Sequence, residues 1–584
     1  MKDILFINTI DNCLDNSSIC INLGTLSLAT ILKKDKYDVE IIDFNYLYRK
    51  KYIKYHNEYH KDTDNMVKYI LKFNPKIVDF YTMTNSYCTS LLLAKKLKEK
   101  RPDIKILFGG PQASLTAIDS MKAFPWIDAI GVGEGELTIK KLVDILLENK
   151  SFNNIKGVVY RKNGQVCFNG KESLIEDLDS LPMLDYSLVN VEDLSAMPLD
   201  VGRGCPFGCI YCSTKTFWQR YFRLKSSERI IREIKFVIDN YGIRTFNFVH
   251  DIFTVNKLKV MEFCDLLLKN KINIKWRCSA RIDTLDEEMI KKMKESGCES
   301  IYLGIETGSE RMQKIINKNL NLSDVKSKIK ILNKYKIEVT ASFIYGFPGE
   351  TIDNVRETLR LIDILRKEGV KHTQLHLLGI LPGTELYEKL KDKLVFSNNI
   401  SDISNDKTIS CIPKNIILKN KSVFCQYFDF DSELRSTLIY LDKFNAVFYS
   451  FLFNNMFMTY KILMEYYNNE LLDFFLDFKE VNYNILSDSE DITKIKNIID
   501  ALKRFVFTKD FDKYTSLVRE IFKFEINIFN FMYFDNIKEK KFHYMYNVYD
   551  IKKNGILDDI TQKKPIEIKI TRIKDCHIKL EKVV

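Results

Sequence analysis

Eight residues, Cys205-Pro206-Phe207-Gly208-Cys209-Ile210-Tyr211-Cys212, constrain this chain more than any other stretch. Three thiols at CxxxCxxC spacing, on a loop opened by Gly202-Arg203-Gly204, can turn inward onto one centre. Their number is informative. A closed structural zinc site takes four ligands, and an iron–sulfur cube is ordinarily held by four cysteines. A cube held by three leaves one iron open for a substrate or cofactor to bind directly. Pro206 and Gly208 suit a bent backbone, and Tyr211 sets an aromatic ring beside the third thiol. Three unconnected buried cysteines, or a zinc knuckle with its fourth ligand elsewhere, are the alternatives that this spacing alone leaves open.

The surrounding pattern is that of an α/β protein. At 584 residues the chain has room for about three domains. Apolar segments at 4–7, 39–43, 77–81, 104–108 and 127–132, with helical periodicity at 23–32 and 91–98, predict a parallel, doubly wound sheet over residues 1–150. Its ligands would bind beyond the strands' carboxyl ends. The loops there contain Thr82-Met83-Thr84-Asn85, Gly109-Gly110-Pro111-Gln112-Ala113-Ser114 and Gly133-Glu134-Gly135-Glu136. Residues 151–195 read as a hairpin around Asn163-Gly164, then an extended linker. From 196 to 390, strands at 245–251, 275–281, 300–306, 339–346 and 372–378 alternate with helices. With the strand feeding Cys205 they predict a partial (β/α)6 barrel. Polar residues fall in phase at the strand ends, where barrel sites form: His250-Asp251, Arg281, Glu306-Thr307-Gly308 and Gly346-Phe347-Pro348-Gly349-Glu350.

Residues 391–584 carry no motif and read as a mainly helical substrate-binding cap, with helical patches at 434–452 and 460–475. Cys411, Cys425 and Cys576 lack CxxC spacing, which argues against an auxiliary iron–sulfur domain. The N-terminal MKDILFINTIDN reads as a strand and not a signal peptide. No apolar run nears the roughly 18 residues of a membrane helix. The 13 cysteines, scattered apart from the one motif, point to reduced thiols in a cytoplasm. The net charge of +11 comes from lysines spread along the chain, so nucleic acid is not an expected partner.

With these residues in view, the chain resembles the cobalamin-dependent branch of the radical S-adenosylmethionine superfamily, whose signature is CxxxCx(aromatic)C behind a Rossmann-like cobalamin-binding domain. The resemblance implies a [4Fe-4S] cluster on Cys205, Cys209 and Cys212, whose open iron chelates the amino and carboxylate groups of S-adenosylmethionine. It places Tyr211, Gly346 and Phe347 against adenine, and Asp251, Arg281 and Glu306 on the amino acid and ribose parts. It assigns cobalamin to Thr82, Gly109, Gly110, Pro111, Gln112, Gly133, Glu134 and Gly135. The DxHxxG motif is absent, so cobalamin would be held without a protein imidazole. Gln112 stands where members often have His, and the second-strand motif departs from Gly-Gly-Glu. Leu381-Pro382-Gly383-Thr384-Glu385-Leu386-Tyr387 matches the segment that closes many of these barrels.

The expected activity is methylation of an unactivated carbon or phosphorus in a small molecule or peptide, with an external electron donor such as flavodoxin or ferredoxin. His250, His372 and His376 are candidate substrate acids or bases, or packed and capping histidines. Non-methylating radical chemistry (oxidation, rearrangement or peptide crosslinking) is one alternative. Methylthio transfer to tRNA is another; it expects three N-terminal cysteines, and of Cys13, Cys20 and Cys88 the first two sit too close together. A metal-stabilised nucleic-acid-binding protein is the non-enzymatic alternative.

Overall fold

The computed structural model describes residues 2–9, 21–56, 58–397, 414–430, 432–487, 494–534, 539–544, 566–574 and 577–583. Cys13, Cys20, Cys411 and Cys576 lie outside them.

Strands buried on both faces read as unbroken apolar runs, and Ile4–Asn8 (β1) is buried at every position. It lies between Val39–Asp43 (β2) and Ile77–Tyr81 (β3), followed by Lys105–Gly109 (β4) and Ala129–Gly131 (β5), all parallel. The hairpin of Val158–Lys162 (β6) and Gln165–Phe168 (β7) extends this same sheet antiparallel, giving the order β2-β1-β3-β4-β5-β6-β7. Asn163 and Gly164 both have positive φ, 52° and 79°, as a two-residue hairpin turn requires.

The second sheet is the expected partial barrel. Met197–Asp200 (β8) leads into a ribbon of Gly202–Arg203 (β9) and Arg223–Leu224 (β10). Thr245–Val249 (β11), Lys275–Ala280 (β12), Cys298–Glu306 (β13), Glu338–Tyr345 (β14) and His372–Leu377 (β15) complete a parallel sheet ordered β15-β14-β13-β12-β11-β8. Its helices start on side-chain caps, Ser226, Asn256, Asp286, Asn321 and Thr351, which satisfy first-turn N–H groups.

The last third is mainly helical, but two expected helices are interrupted. Tyr440, at φ 73°, breaks 434–452 ahead of a π-helical turn at Phe444–Tyr449. Asn468 and Asn469, at φ 50° and 62°, end Phe457–Tyr466 before the next helix at Leu471–Ser487. Left-handed backbone at these positions cannot continue a right-handed helix. A three-stranded antiparallel sheet at Glu539–Tyr544, Ile566–Lys574 and His577–Val583 was not expected. One apolar cluster runs from the barrel strands into these helices, and another joins the first domain to residues 417–430.

Candidate functional site

The cysteine loop is pinned from several sides. Gly204 sits at φ 89°, and a Cβ there would lie 1.8 Å from the Tyr221 carbonyl oxygen, so only glycine fits. Asn317 Nδ2 donates to the Gly208 carbonyl at 2.9 Å, Ile210 N to the Ile316 carbonyl at 3.1 Å, and Leu386 N to the Ile210 carbonyl at 3.0 Å. All three thiols are free and half-buried. Desolvation, with the neighbouring Cys212 among the lesser causes, pushes the Cys205 thiol up to about 11 and raises Cys212 too. Among the described residues no three His, Cys, Asp or Glu side chains form a group that could hold a metal ion. A cube puts each thiolate on a different iron and so needs them farther apart than one ion does. The donor set and its free, mutually interacting thiols fit the cube.

Strand ends converge beside this loop. Arg281 is buried, lies 3.8 Å over the Phe207 ring, pairs with Asp283 at 2.7 Å and donates to the Lys318 carbonyl at 2.9 Å. Glu306 adopts left-handed backbone, φ 71°, at the register shift that ends β13. Such strain in a non-glycine residue persists where surrounding structure enforces it. Its carboxylate accepts from Lys318 Nζ at 2.7 Å, both groups being buried. Lys318 was not anticipated from the sequence, because an Asn-Lys-Asn turn reads as surface. Tyr211 meets Phe347 edge-on, ring centroids 5.6 Å apart. Gly346, at φ 83°, and Phe347 donate their N–H groups to Glu350 at 2.5 and 3.1 Å. Arg435, another residue missed, holds this turn from the helical third through the Gly346 carbonyl at 2.6 Å. Asp251, accessible at the mouth yet recessed, accepts from Thr214 at 3.5 Å, and desolvation raises its pKa.

His250 is a capping residue in this fold. Its Nδ1 accepts from Ile252 N at 2.8 Å, and burial lowers its pKa to about 4, so the ring is neutral. His372 is exposed on the edge strand β15, and His376 is half-buried there. Cys88 is fully buried, 3.4 Å from the Tyr427 hydroxyl, and burial pushes its thiol up to about 12, so it is placed for packing and not for ligation.

The first sheet's loops are built for backbone approach. A Cβ on Gly110, at φ 90°, would strike the Thr82 carbonyl oxygen at 2.7 Å. Thr82 braces the turn, donating to the Gly109 carbonyl at 2.7 Å and accepting from Ala113 N at 3.1 Å. A Cβ on Gly133 would meet nothing within 4 Å, and one on Gly109 only Asp79 Oδ1 at 3.9 Å. That open cradle, near a buried Asp79 oxygen that has no hydrogen-bond partner among the described residues, fits a large ligand laid over the sheet ends. Two expected contacts need correcting. Gln112, 1% exposed, accepts from Thr84 at 3.0 Å and donates to the Val423 carbonyl at 2.9 Å, so its side chain is consumed internally. Glu134 accepts from Arg203 at 2.7 Å and Arg223 at 2.8 Å, tying this loop to the barrel. These two residues have only backbone left to offer a cofactor.

The B12 binding domain profile matches residues 15–143, and the Radical SAM superfamily profile residues 199–362. An uncharacterized methyltransferase of Pyrococcus horikoshii is 32% identical over 329 residues, 56% of this chain and 71% of that protein. The chain belongs to the cobalamin-dependent radical S-adenosylmethionine family. The cofactors of this family are a [4Fe-4S] cluster, S-adenosylmethionine and cobalamin. An anaerobic magnesium-protoporphyrin IX monomethyl ester cyclase of Rubrivivax gelatinosus is 26% identical over 57% of this chain and 61% of that one. The fold resembles the cobalamin-dependent S-adenosylmethionine radical enzyme OxsB, with TM-score 0.59 at 16% identity, covering 90% of this chain and 79% of that one. No described helix is long and apolar enough to cross a membrane.

Proposed function

We propose that this radical S-adenosylmethionine enzyme methylates an unactivated carbon or phosphorus centre of a small molecule or peptide, drawing electrons from an external carrier such as flavodoxin or ferredoxin. When bound, the cluster with S-adenosylmethionine supplies a 5′-deoxyadenosyl radical, and cobalamin supplies a methyl carrier. Cys205, Cys209 and Cys212 would hold the cluster. Glu306 and Lys318 offer opposite charges to the zwitterionic end of S-adenosylmethionine, Arg281 braces both through the Lys318 carbonyl, and the 346–347 turn with Tyr211 gives adenine an apolar wall. The Gly109-Gly110 and Gly133 loops would carry cobalamin. The observation that carries the reading is the bond from Arg203 to Glu134 at 2.7 Å. It joins the residue two before Cys205 to the 133–136 loop, which supports setting the two cofactor sites side by side.

The test is incubation with methyl-deuterated S-adenosylmethionine, reductant and candidate substrates. Methyl transfer predicts near-equal 5′-deoxyadenosine and S-adenosylhomocysteine, with label in the product. The cyclase relative favours a second reading, radical chemistry without methylation. It predicts substrate-dependent 5′-deoxyadenosine with neither S-adenosylhomocysteine nor label.

A further inference from the structure

The guanidinium of Arg435, a residue 6% exposed, is divided among three segments. Nη1 donates to the Gly346 carbonyl at 2.6 Å, Nη2 to the Leu378 carbonyl at 3.0 Å, and Nε pairs with Asp429 at 2.8 Å. A Cβ on Gly346 would lie 2.7 Å from Nη1, so the turn and the guanidinium fit one another only with glycine there. Glu350 takes the N–H groups of the same turn. Asp429 belongs to a segment whose other end is anchored on the first domain. Gln112 Nε2 donates to the Val423 carbonyl at 2.9 Å. The Phe424 ring packs on Tyr87 and Phe124, with centroids 6.4 and 6.0 Å away. Residues 423–428 are buried without a break, and Phe428–Phe430 pairs as a strand with Leu394–Phe396. Contacts therefore run from Gln112 through 423–429 and the Asp429–Arg435 pair to Gly346. Stability alone gives no reason for a buried ion pair, since apolar residues of similar volume do as well or better. What a guanidinium adds is direction, because its planar fork fixes several acceptors at set angles.

We propose that residues 423–430 together with Arg435 form a strut that sets the 346–347 turn relative to the Gly109-Gly110 loop, with Gln112 and Arg435 as positioning residues. The inference rests on the cofactor sites proposed above, which give that turn to adenine and that loop to cobalamin. Spacing matters because the radical and the methyl carrier must reach one substrate, and a misplacement of about 1 Å can cost about a hundredfold in rate. The strut makes a change at Gln112, in the first domain, felt at the adenine wall of the barrel.

The experiment measures S-adenosylmethionine affinity of the full-length chain, its cluster reconstituted anaerobically without cobalamin, from the shift of the reduced cluster's electron paramagnetic resonance signal. Iron content and melting midpoint are read on the same preparations. Arg435→Met should weaken binding about tenfold or more with iron unchanged, and Arg435→Lys, which keeps the charge and one bond, should recover part of the loss. Gln112→Met should weaken binding about threefold, and should add nothing in the Arg435→Met background, where the path is already cut. Phe424→Leu, which loosens the same anchor through packing alone, should repeat the Gln112→Met result. A lowered midpoint with unchanged affinity in both first-domain anchor variants would make these contacts structural only and overturn the proposal. Full additivity of Gln112→Met and Arg435→Met would overturn it too. A cluster signal in the unaltered chain that ignores S-adenosylmethionine would overturn the binding site itself, and this inference with it.

Discussion

Arg203 and Glu134, 69 residues apart, share a 2.7 Å ion pair whose carboxylate is 2% exposed. Arg203 also reaches Glu136 at 2.7 Å, and Glu134 takes a second guanidinium from Arg223 at 2.8 Å. These pairs lock the 133–136 loop onto the β9–β10 ribbon that flanks the cysteines. Removing one partner from a buried network strands the other charges. Glu134→Gln should lower stability by about 3 kcal/mol, read as a drop in the denaturation midpoint. A change under about 0.5 kcal/mol would place the network among weak surface pairs.

Asp79 predicts a pH signature. Its folded pKa of about 8 stands above the ordinary carboxyl value of 3.8, and burial is the cause. Between those values the folded chain holds more protons than the unfolded one, so this group's contribution to stability falls as pH rises through the window. Asp79→Asn should therefore stabilise the cofactor-free chain at pH 8 by about 1–3 kcal/mol. The gain should fade toward pH 4. Melting curves across that range check it, and a pH-independent effect would contradict the assignment.

Gly204 admits no side chain. A Cβ would sit 1.8 Å from the Tyr221 carbonyl oxygen in backbone that already has positive φ. Gly204→Ala should displace Cys205 and abolish most iron incorporation, while the first domain's cobalamin binding persists. Metal analysis of the two cofactors in one preparation separates these effects.

Much of this architecture was legible because buried parallel strands are continuous apolar runs and the cysteines are adjacent in the chain. What stayed hidden depends on distant pairing. Nothing near Gln112 points to Val423, 311 residues on. Lys318 looks like a surface turn until the fold sets it 2.7 Å from Glu306. Arg435 holds the Gly346 turn across 89 residues, from a region without motifs. The C-terminal sheet had a readable signal in the alternation of Ile566–Lys574.

Lys318 should govern S-adenosylmethionine binding. Lys318→Met leaves the Glu306 carboxylate buried without its ammonium. Affinity of the cluster-loaded protein for S-adenosylmethionine should fall about tenfold or more by titration calorimetry. Cysteine-bound iron should be unchanged.

The central claim is that three cysteines hold a four-iron cube with one iron open to S-adenosylmethionine. Electron paramagnetic resonance of the anaerobically reconstituted, reduced protein, with iron counted in the same sample, tests it most directly. The account predicts about four irons per chain, a cluster signal that shifts when S-adenosylmethionine is added, and loss of both when Cys205, Cys209 and Cys212 are replaced together by Ala. A full iron complement in that triple variant, or a cluster signal indifferent to S-adenosylmethionine, would contradict it.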